Sequence, residues 1–325
     1  MSLAESPDNA FCPVCGGAPG RVLYSEVRDP ITFTPFRIVI CSSCGVAFTS
    51  PLPRDLESFY PQAYRAFGFL VTRVLTLFYR LRVARWARAY SRPGSLLEIG
   101  CGPGLMLQAF RQRGWNVLGI ERNQPMAERA RTALGLEIVS TPVDALPGQS
   151  RFDLILMFHV LEHLADPLPL LRECARRLAP GGRLLINVPN LASWQSRFAG
   201  PAWMHLDVPR HLIHFTPATL VSTLHRAGLR LTSLRFASPE HDPYGWVEST
   251  ISRFGGRPNR LTRFLIGLDP LSPAVMLSLV TAALLALPAA LLAGVSWLAG
   301  SGALMEASAV SAGAESDSSG TASPV

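Results

Sequence analysis

The chain has 325 residues, 48% of them hydrophobic, and a formal net charge of +7. That length allows one large domain with attachments, and that apolar content excludes a chain disordered throughout. The positive balance does not by itself mark a nucleic-acid binder, because all 30 basic residues are Arg, a bias as compatible with codon composition as with an anionic partner.

The opening "MSLAESPDNA" lacks the basic start and apolar run of a signal peptide, so the amino-terminal part is expected in the cytoplasm. In a reducing compartment close cysteine pairs favour metal over disulfides. "CPVCGG" and "CSSCG" supply Cys12, Cys15, Cys41 and Cys44 as two Cys-x2-Cys pairs separated by 25 residues. Each pair can chelate one tetrahedral ion through a tight knuckle, with Gly16 and Gly45 taking the turn that follows. Four thiolates close the coordination shell, so the expectation is a structural zinc ribbon over 1–55. Residues 56–92 then read as an amphipathic, basic linker helix or lid. No acidic residue occurs between Glu57 and Glu98, and Arg alternates with Leu, Phe, Tyr and Trp through 66–90, a pattern that suits an anionic lipid surface.

From 93 to 266 strand-like and helix-like segments alternate, which predicts an α/β, doubly wound, mainly parallel sheet. Strands are expected at "SLLEIG", "WNVLGIE", "EIVS", "FDLILMF", "RLLINV" and "LRLTSLRF". Helices are expected at "GLMLQAFRQRG", "QPMAERARTALG", "DPLPLLRECARRLA" and "TPATLVSTLHRAG". In such a sheet the ligand sits beyond the carboxyl end of the first strand, where "EIGCGPG" falls. Gly100, Gly102 and Gly104 let the backbone turn tightly and approach a ligand, but their GxGxG spacing is not the dinucleotide GxGxxG. Glu121, ending the next strand, can accept hydrogen bonds from both hydroxyls of a ribose, and Asp144 after the third strand can meet an adenine amino group. Glu98 within the turn would repel phosphate. The pocket therefore suits a positively charged nucleoside.

"LLEIGCGPG", "GIER", "VDALP", "FDLILMFHVLEHLADP" and "LAPGGRLLINVPN", in that order, resemble the motifs of the class I S-adenosylmethionine-dependent methyltransferases over roughly 93–236. The resemblance implies that the Gly100–Gly104 backbone approaches the amino-acid part of the cofactor and that Glu98 helps bind its ammonium. It further implies that Glu121 takes the ribose hydroxyls, that Asp144 lies near the adenine, and that the stretch at Phe158 packs beside that base. The family usually ends on an antiparallel seventh strand. None is legible between Phe236 and the apolar block, where the chain reads as a substrate loop and helix.

Methyl transfer to oxygen needs a base, and histidine is the natural one near neutral pH. "HVLEH" places His159, Glu162 and His163 at the ligand-facing edge. "WMHLDVPRHLIHF" gathers His205, Asp207, Arg210, His211 and His214 after the fifth strand. The expected bases are His211 or His205, with His159 as the other candidate. "FHVLEH" is also similar to ubiquinone-pathway O-methyltransferases, whose matching stretch implies a divalent metal, although His159 here replaces its first acidic residue. There is no D/N-P-P-Y segment for amino methylation of DNA and no Pro-Cys nucleophile, and Cys101 and Cys174 read as small buried residues.

Between Asp269 and Glu306 lie 36 residues without a charge, enough for one membrane crossing or, given Pro288, a shallow hairpin. Arg253, Arg257, Arg260 and Arg263 precede the block and only acidic residues follow, which keeps the catalytic part on the cytoplasmic face. The expectation is a membrane-associated segment over 267–300 and a disordered tail over 301–325. The function expected is methyl transfer from S-adenosylmethionine to a lipid-soluble or lipid-linked acceptor. The alternatives are a zinc-ribbon RNA base methyltransferase and an inactive zinc-ribbon binding protein.

Overall fold

The computed structural model describes residues 11–53, 55–60 and 69–315. The start of the expected ribbon, part of the linker helix and the last ten positions of the expected tail lie outside these residues. In chain order the elements are β1 (Pro19–Arg28), β2 (Pro35–Cys41), β3 (Ala47–Ser50), α1 (Phe69–Ala87), β4 (Ser95–Ile99), α2 (Leu105–Arg111), β5 (Asn116–Ile120), α3 (Gln124–Leu134), β6 (Ile138–Val139), β7 (Phe152–Phe158), α4 (Leu168–Arg177) and β8 (Leu178–Pro189). They continue with α5 (Trp194–Ala199), β9 (Ile213–His214), α6 (Pro217–Arg226), β10 (Leu229–Arg235), α7 (Asp242–Gly255), α8 (Arg260–Leu265), α9 (Pro273–Leu298) and β11 (Leu304–Ser311).

Among the described residues the large sheet runs β10-β11-β8-β7-β4-β5-β6. The pairs β4–β5, β5–β6, β4–β7 and β7–β8 are parallel, while β11 is antiparallel to both β8 and β10. Helix starts follow the sequence punctuation. Asn123 caps α3, and Thr216 caps α6 through a reciprocal box with Thr219. The strands between helices carry near-continuous apolar runs, such as Leu154, Ile155, Leu156 and Met157 of β7, all fully buried, because both faces of a parallel sheet are covered. α1 belongs to this body as well: Val83 and Trp86 are buried against α2, with Trp86 stacked on Phe110 at 6.4 Å.

One expectation about the end of the chain is corrected, and of the two forms expected for the apolar block the helix is the one found. The segment taken for the start of a disordered tail is β11, an interior strand of the sheet. It is also the antiparallel seventh strand, displaced to the far side of the apolar block. Its Ala and Ser residues read as low complexity, but small side chains fit a slot between two strands. Met305, Ala307 and Ala309 are wholly enclosed, and Glu306 is neutralised by Arg82 and Arg85 of α1 and accepts a hydrogen bond from Trp86 Nε1 at 3.0 Å. The sheet thus extends beyond the expected 93–266 limit. The apolar block forms one continuous helix and no hairpin: α9 runs 26 residues through Pro288, about 39 Å at the α-helical rise.

The remaining strands form a second, antiparallel sheet, β1-β2-β3-β9. Its first three strands come from the cysteine-bearing segment. Its fourth, Ile213–His214, comes from the loop after β8 and pairs Ala47 with His214 and Phe48 with Ile213.

Truncation after Ala303 tests the placement of β11. Leu304 and Met305 alone bury side chains worth about 1.5–3 kcal/mol each, and their removal also leaves two hydrogen-bonding edges open. The shortened chain should lose cooperative thermal unfolding in calorimetry, whereas a dispensable tail would leave the transition intact.

Candidate functional site

The glycine turn lies where β4 meets α2. Gly100, Gly102 and Gly104 all have positive φ, at 69°, 53° and 74°, which side chains other than Gly rarely adopt. A Cβ on Gly100 would strike Val160 at 2.5 Å, so that turn is also closed against the segment after β7. At Gly102 the nearest atom to such a Cβ is Met126 Sδ at 3.6 Å, leaving this face approachable.

Two carboxylates flank the turn. Glu121, one residue past β5, accepts from Gly102 N at 2.9 Å and from Asn123 N at 2.8 Å, which fixes the carboxylate at the strand tip. Glu98 on β4 is buried, and its Oε2 has no hydrogen-bond partner among the described residues. Burial pushes its carboxyl up to about 8, and the nearby Glu121 charge adds to the rise. An orphaned carboxyl oxygen suits a cationic group, which draws the carboxyl into its ionised form. Phe158 ends β7, with Tyr79 edge-on at 5.8 Å and the Arg82 guanidinium 5.1 Å from its ring centre. Asp144 stands exposed in a short turn after β6.

Beyond β7 the structure gathers the three histidines expected to serve as bases. His159 adopts φ of 55°, an unfavourable backbone for a non-glycine residue worth roughly 1–3 kcal/mol. It is held there by its N–H on Asn187 O at 3.0 Å and by Nδ1 at 3.1 Å from the buried carboxylate of Glu162. His211 Nδ1 lies 2.8 Å from the His205 carbonyl. A carbonyl only accepts, so Nδ1 carries the proton and the lone pair of the neutral ring sits on Nε2. That Nε2 is 4.0 Å from Glu162 Oε1 and 3.9 Å from Asp207 Oδ2. His205 is kept neutral by burial and by its histidine neighbours His159, His241 and His211, and its Nε2 is unpartnered among the described residues.

The other members of the cluster have structural work. Arg210 is wholly enclosed between Asp29 and Asp207, and His214 contacts Thr49. His241, not anticipated, joins the site from the segment before α7, with its ring 5.1 Å from His159 and 6.2 Å from Phe158. The signal for it was the ionisable run Glu240-His241-Asp242 between β10 and α7.

Two groups have the geometry of metal ligands. The Sγ atoms of Cys12, Cys15, Cys41 and Cys44 all lie within 4.8 Å of one another, with Cys12–Cys44 and Cys15–Cys41 at 3.5 Å. Bonds of about 2.3 Å to a tetrahedral zinc would set sulfur–sulfur edges near 3.8 Å, so the residues fit that ion. Gly16 and Gly45 take positive φ after each pair. Burial pushes the Cys44 thiol up to about 11; Cys41, though also raised by burial, is brought down to about 7 by backbone N–H groups of Cys44 and Ser43. A cation is what turns such a set into four thiolates. Glu162, His163 and His211 form the second group, again within 4.8 Å.

The Glu98 carboxyl gives a pH dependence with a definite sign. Below about 8 the free site holds a proton there, and a bound ammonium favours the ionised form. S-adenosylhomocysteine binding should therefore release a proton at pH 7, and affinity should rise with pH, by up to about tenfold per unit, until it levels near 8. Calorimetry in buffers of different ionisation enthalpy measures the release, and Glu98→Gln should abolish it. Glu121→Ala should weaken the same ligand by about tenfold or more through loss of charge-assisted hydrogen bonds.

Residues 73–234 match the sequence profile of a methyltransferase domain. The ubiquinone biosynthesis O-methyltransferase of Cereibacter sphaeroides (strain KD131 / KCTC 12085) is 32% identical over 146 residues, covering 41% of this chain and 59% of that protein. The enzyme of the same name from Caulobacter sp. (strain K31) is 37% identical over 102 residues, covering 29% of this chain and 40% of that protein. The chain thus spans well under two thirds of these curated relatives. Among solved structures, a putative sarcosine dimethylglycine methyltransferase from Galdieria sulphuraria aligns with TM-score 0.47 and 16% identity over 75% of this chain and 90% of that one. A SAM dependent methyltransferase from Archaeoglobus fulgidus aligns with TM-score 0.46 and 21% identity over 72% and 93%. The matched profile and the ordered motifs around the glycine turn place residues 73–234 in the class I S-adenosylmethionine-dependent methyltransferase family.

Proposed function

We propose that this protein transfers a methyl group from S-adenosylmethionine to an oxygen of a lipid-soluble or lipid-linked acceptor at the cytoplasmic face of a membrane. The observation that carries the chemistry is the convergence of His159, Glu162, His205 and His211 beyond β7, next to the glycine turn. Bound S-adenosylmethionine supplies an electrophilic methyl on a sulfonium. Glu98 meets its ammonium, Glu121 its ribose hydroxyls, Asp144 its adenine amino group, and Phe158 covers the base. His211 Nε2 accepts the hydroxyl proton of the acceptor as the oxygen becomes a nucleophile, and the buried Glu162 carboxylate stabilises the imidazolium that forms. The four cysteines hold a structural zinc ion.

The membrane part rests on α9. Leu277, Leu284, Leu287, Leu291, Val295 and Leu298 form an exposed stripe, with Leu298 92% exposed, while Val275, Ser278, Ala289, Ala293 and Ser296 face the body. Both ends are fastened to the same body: Arg263 pairs with Asp269 at the entrance, and Trp297 Nε1 donates to Asp242 at the exit, just before β11. A helix held at both ends against α7 lies flat in a lipid surface and does not cross it. Exposed Arg253 and Arg257, with exposed Phe254 between them, supply the charge that anionic headgroups attract. The relatives named above as ubiquinone biosynthesis O-methyltransferases support an acceptor of this kind. The grouping of Glu162, His163 and His211 supports a second reading, in which a divalent cation there takes the place of the base.

Incubation with methyl-labelled cofactor and fractionated extract should put label in the lipid fraction. Label in RNA, or no transfer with any fraction, would overturn the assignment. His211→Asn should cost about a hundredfold or more in transfer while leaving S-adenosylhomocysteine affinity unchanged. Stimulation by added Mg²⁺ or Mn²⁺ would favour the cation reading. In flotation with anionic vesicles the protein should co-migrate with lipid, and Leu284→Glu with Leu287→Glu should abolish co-migration.

A further inference from the structure

We infer that the four-cysteine module is the positioning element of His211, and that Thr49 is the residue through which it acts. The inference rests on the proposed role of His211 as base and names what aims it. Thr49 lies on β3, five residues past Cys44, and is fully buried. Its N–H donates to Leu212 O at 3.0 Å, and its hydroxyl donates to His211 O at 2.6 Å. His214 Nε2 sits 3.0 Å from the same hydroxyl oxygen. Because the single hydroxyl proton is given to His211, the His214 ring must donate to Thr49, as a neutral imidazole. Burial, with His211 nearby, holds His214 in that form by lowering its pKa to about 3.

A second tie fixes the residue before His211. Arg210 Nη2 reaches Asp29 Oδ1 at 2.8 Å in the turn between β1 and β2, and Nη1 reaches Phe59 O at 2.8 Å. Residues 29–59 therefore hold the Arg210 side chain before His211 and the backbone carbonyls of His211 and Leu212. From the catalytic body, Leu212 N donates to Glu162 O at 2.8 Å. The imidazole is aimed at the Glu162 carboxylate because its backbone is clamped between β3 and the short turn after β7. Loss of the module's side of the clamp leaves a buried carbonyl and a buried ring N–H unsatisfied, and the loop must open to hydrate them.

The test uses the full chain, amide hydrogen exchange and calorimetry with S-adenosylhomocysteine. Thr49→Val keeps the shape and removes the hydroxyl. It should raise exchange over 211–214 by about tenfold or more while leaving the ligand affinity within about twofold. Thr49→Ser should restore protection, and stripping the metal from the wild-type chain should reproduce the loop opening. Asp29→Asn provides the same readout through Arg210 should Thr49→Val fail to fold. Wild-type protection in Thr49→Val or Asp29→Asn, or an equal loss of loop protection and ligand affinity, would overturn the inference. The exchange measurement needs no acceptor, so it stands or falls separately from the base assignment, which His211→Asn tests.

Discussion

Glu306 is a buried carboxylate in the middle of the last strand, and much of the architecture depends on how its charge is met. Arg82 and Arg85 of α1 and the indole N–H of Trp86 surround it, and Arg82 also pairs with Glu240. A buried ion set of this kind adds little net stability over an apolar core, but removing one partner strands a charge at a cost of about 3–5 kcal/mol. Its consequence is therefore geometric. The arrangement locks α1 to the final strand, and it sets the Arg82 guanidinium over Phe158 at the end of β7. Glu240 adjoins His241, so the same charges also fix the entry of the segment that brings a fourth histidine to His159.

The periodic elements from β4 to β10 were legible because a doubly wound sheet writes itself into sequence as apolar runs between capped amphipathic helices. The positions of the glycine turn, Glu98 and Glu121 were legible for a related reason: the turn and Glu98 belong to one strand-turn-helix unit, and Glu121 ends the adjacent strand. β11 was not. Its partners lie more than sixty residues earlier in the chain, and a strand of Ala and Ser between two neighbours carries no hydrophobic alternation. The histidine loop was half legible. Density of ionisable residues marked it, but whether Arg210 and His214 serve chemistry or packing depends on Asp29 and Thr49, which are far away in sequence. His241 was hidden for the same reason.

The position of α9 between the last two strands also restricts what the apolar block can be. Its chain leaves the sheet at Arg235 and must return to it at Leu304. A hydrophobic run of this length in isolation would satisfy the criteria for a crossing. Here the closing strand needs β8 and β10 on either side, and Trp297 is tied to Asp242, whose carboxyl burial raises to about 7. A crossing would require the sheet to be built from both sides of the bilayer. A helix that stays against the body satisfies the closing strand and leaves one row of leucines exposed.

The two additions to the methyltransferase fold enter the same cluster from different directions. The cysteine-bearing sheet reaches it through Thr49 and the His211 loop. The inserted helices reach it through Asp242, which follows His241 in sequence and holds the end of α9. Both walls of the histidine cluster are thereby tied to elements outside the large sheet. The strain at His159 and the unpartnered nitrogen of His205 are tolerable only in a wall held that firmly, since either would relax in a loop free to move.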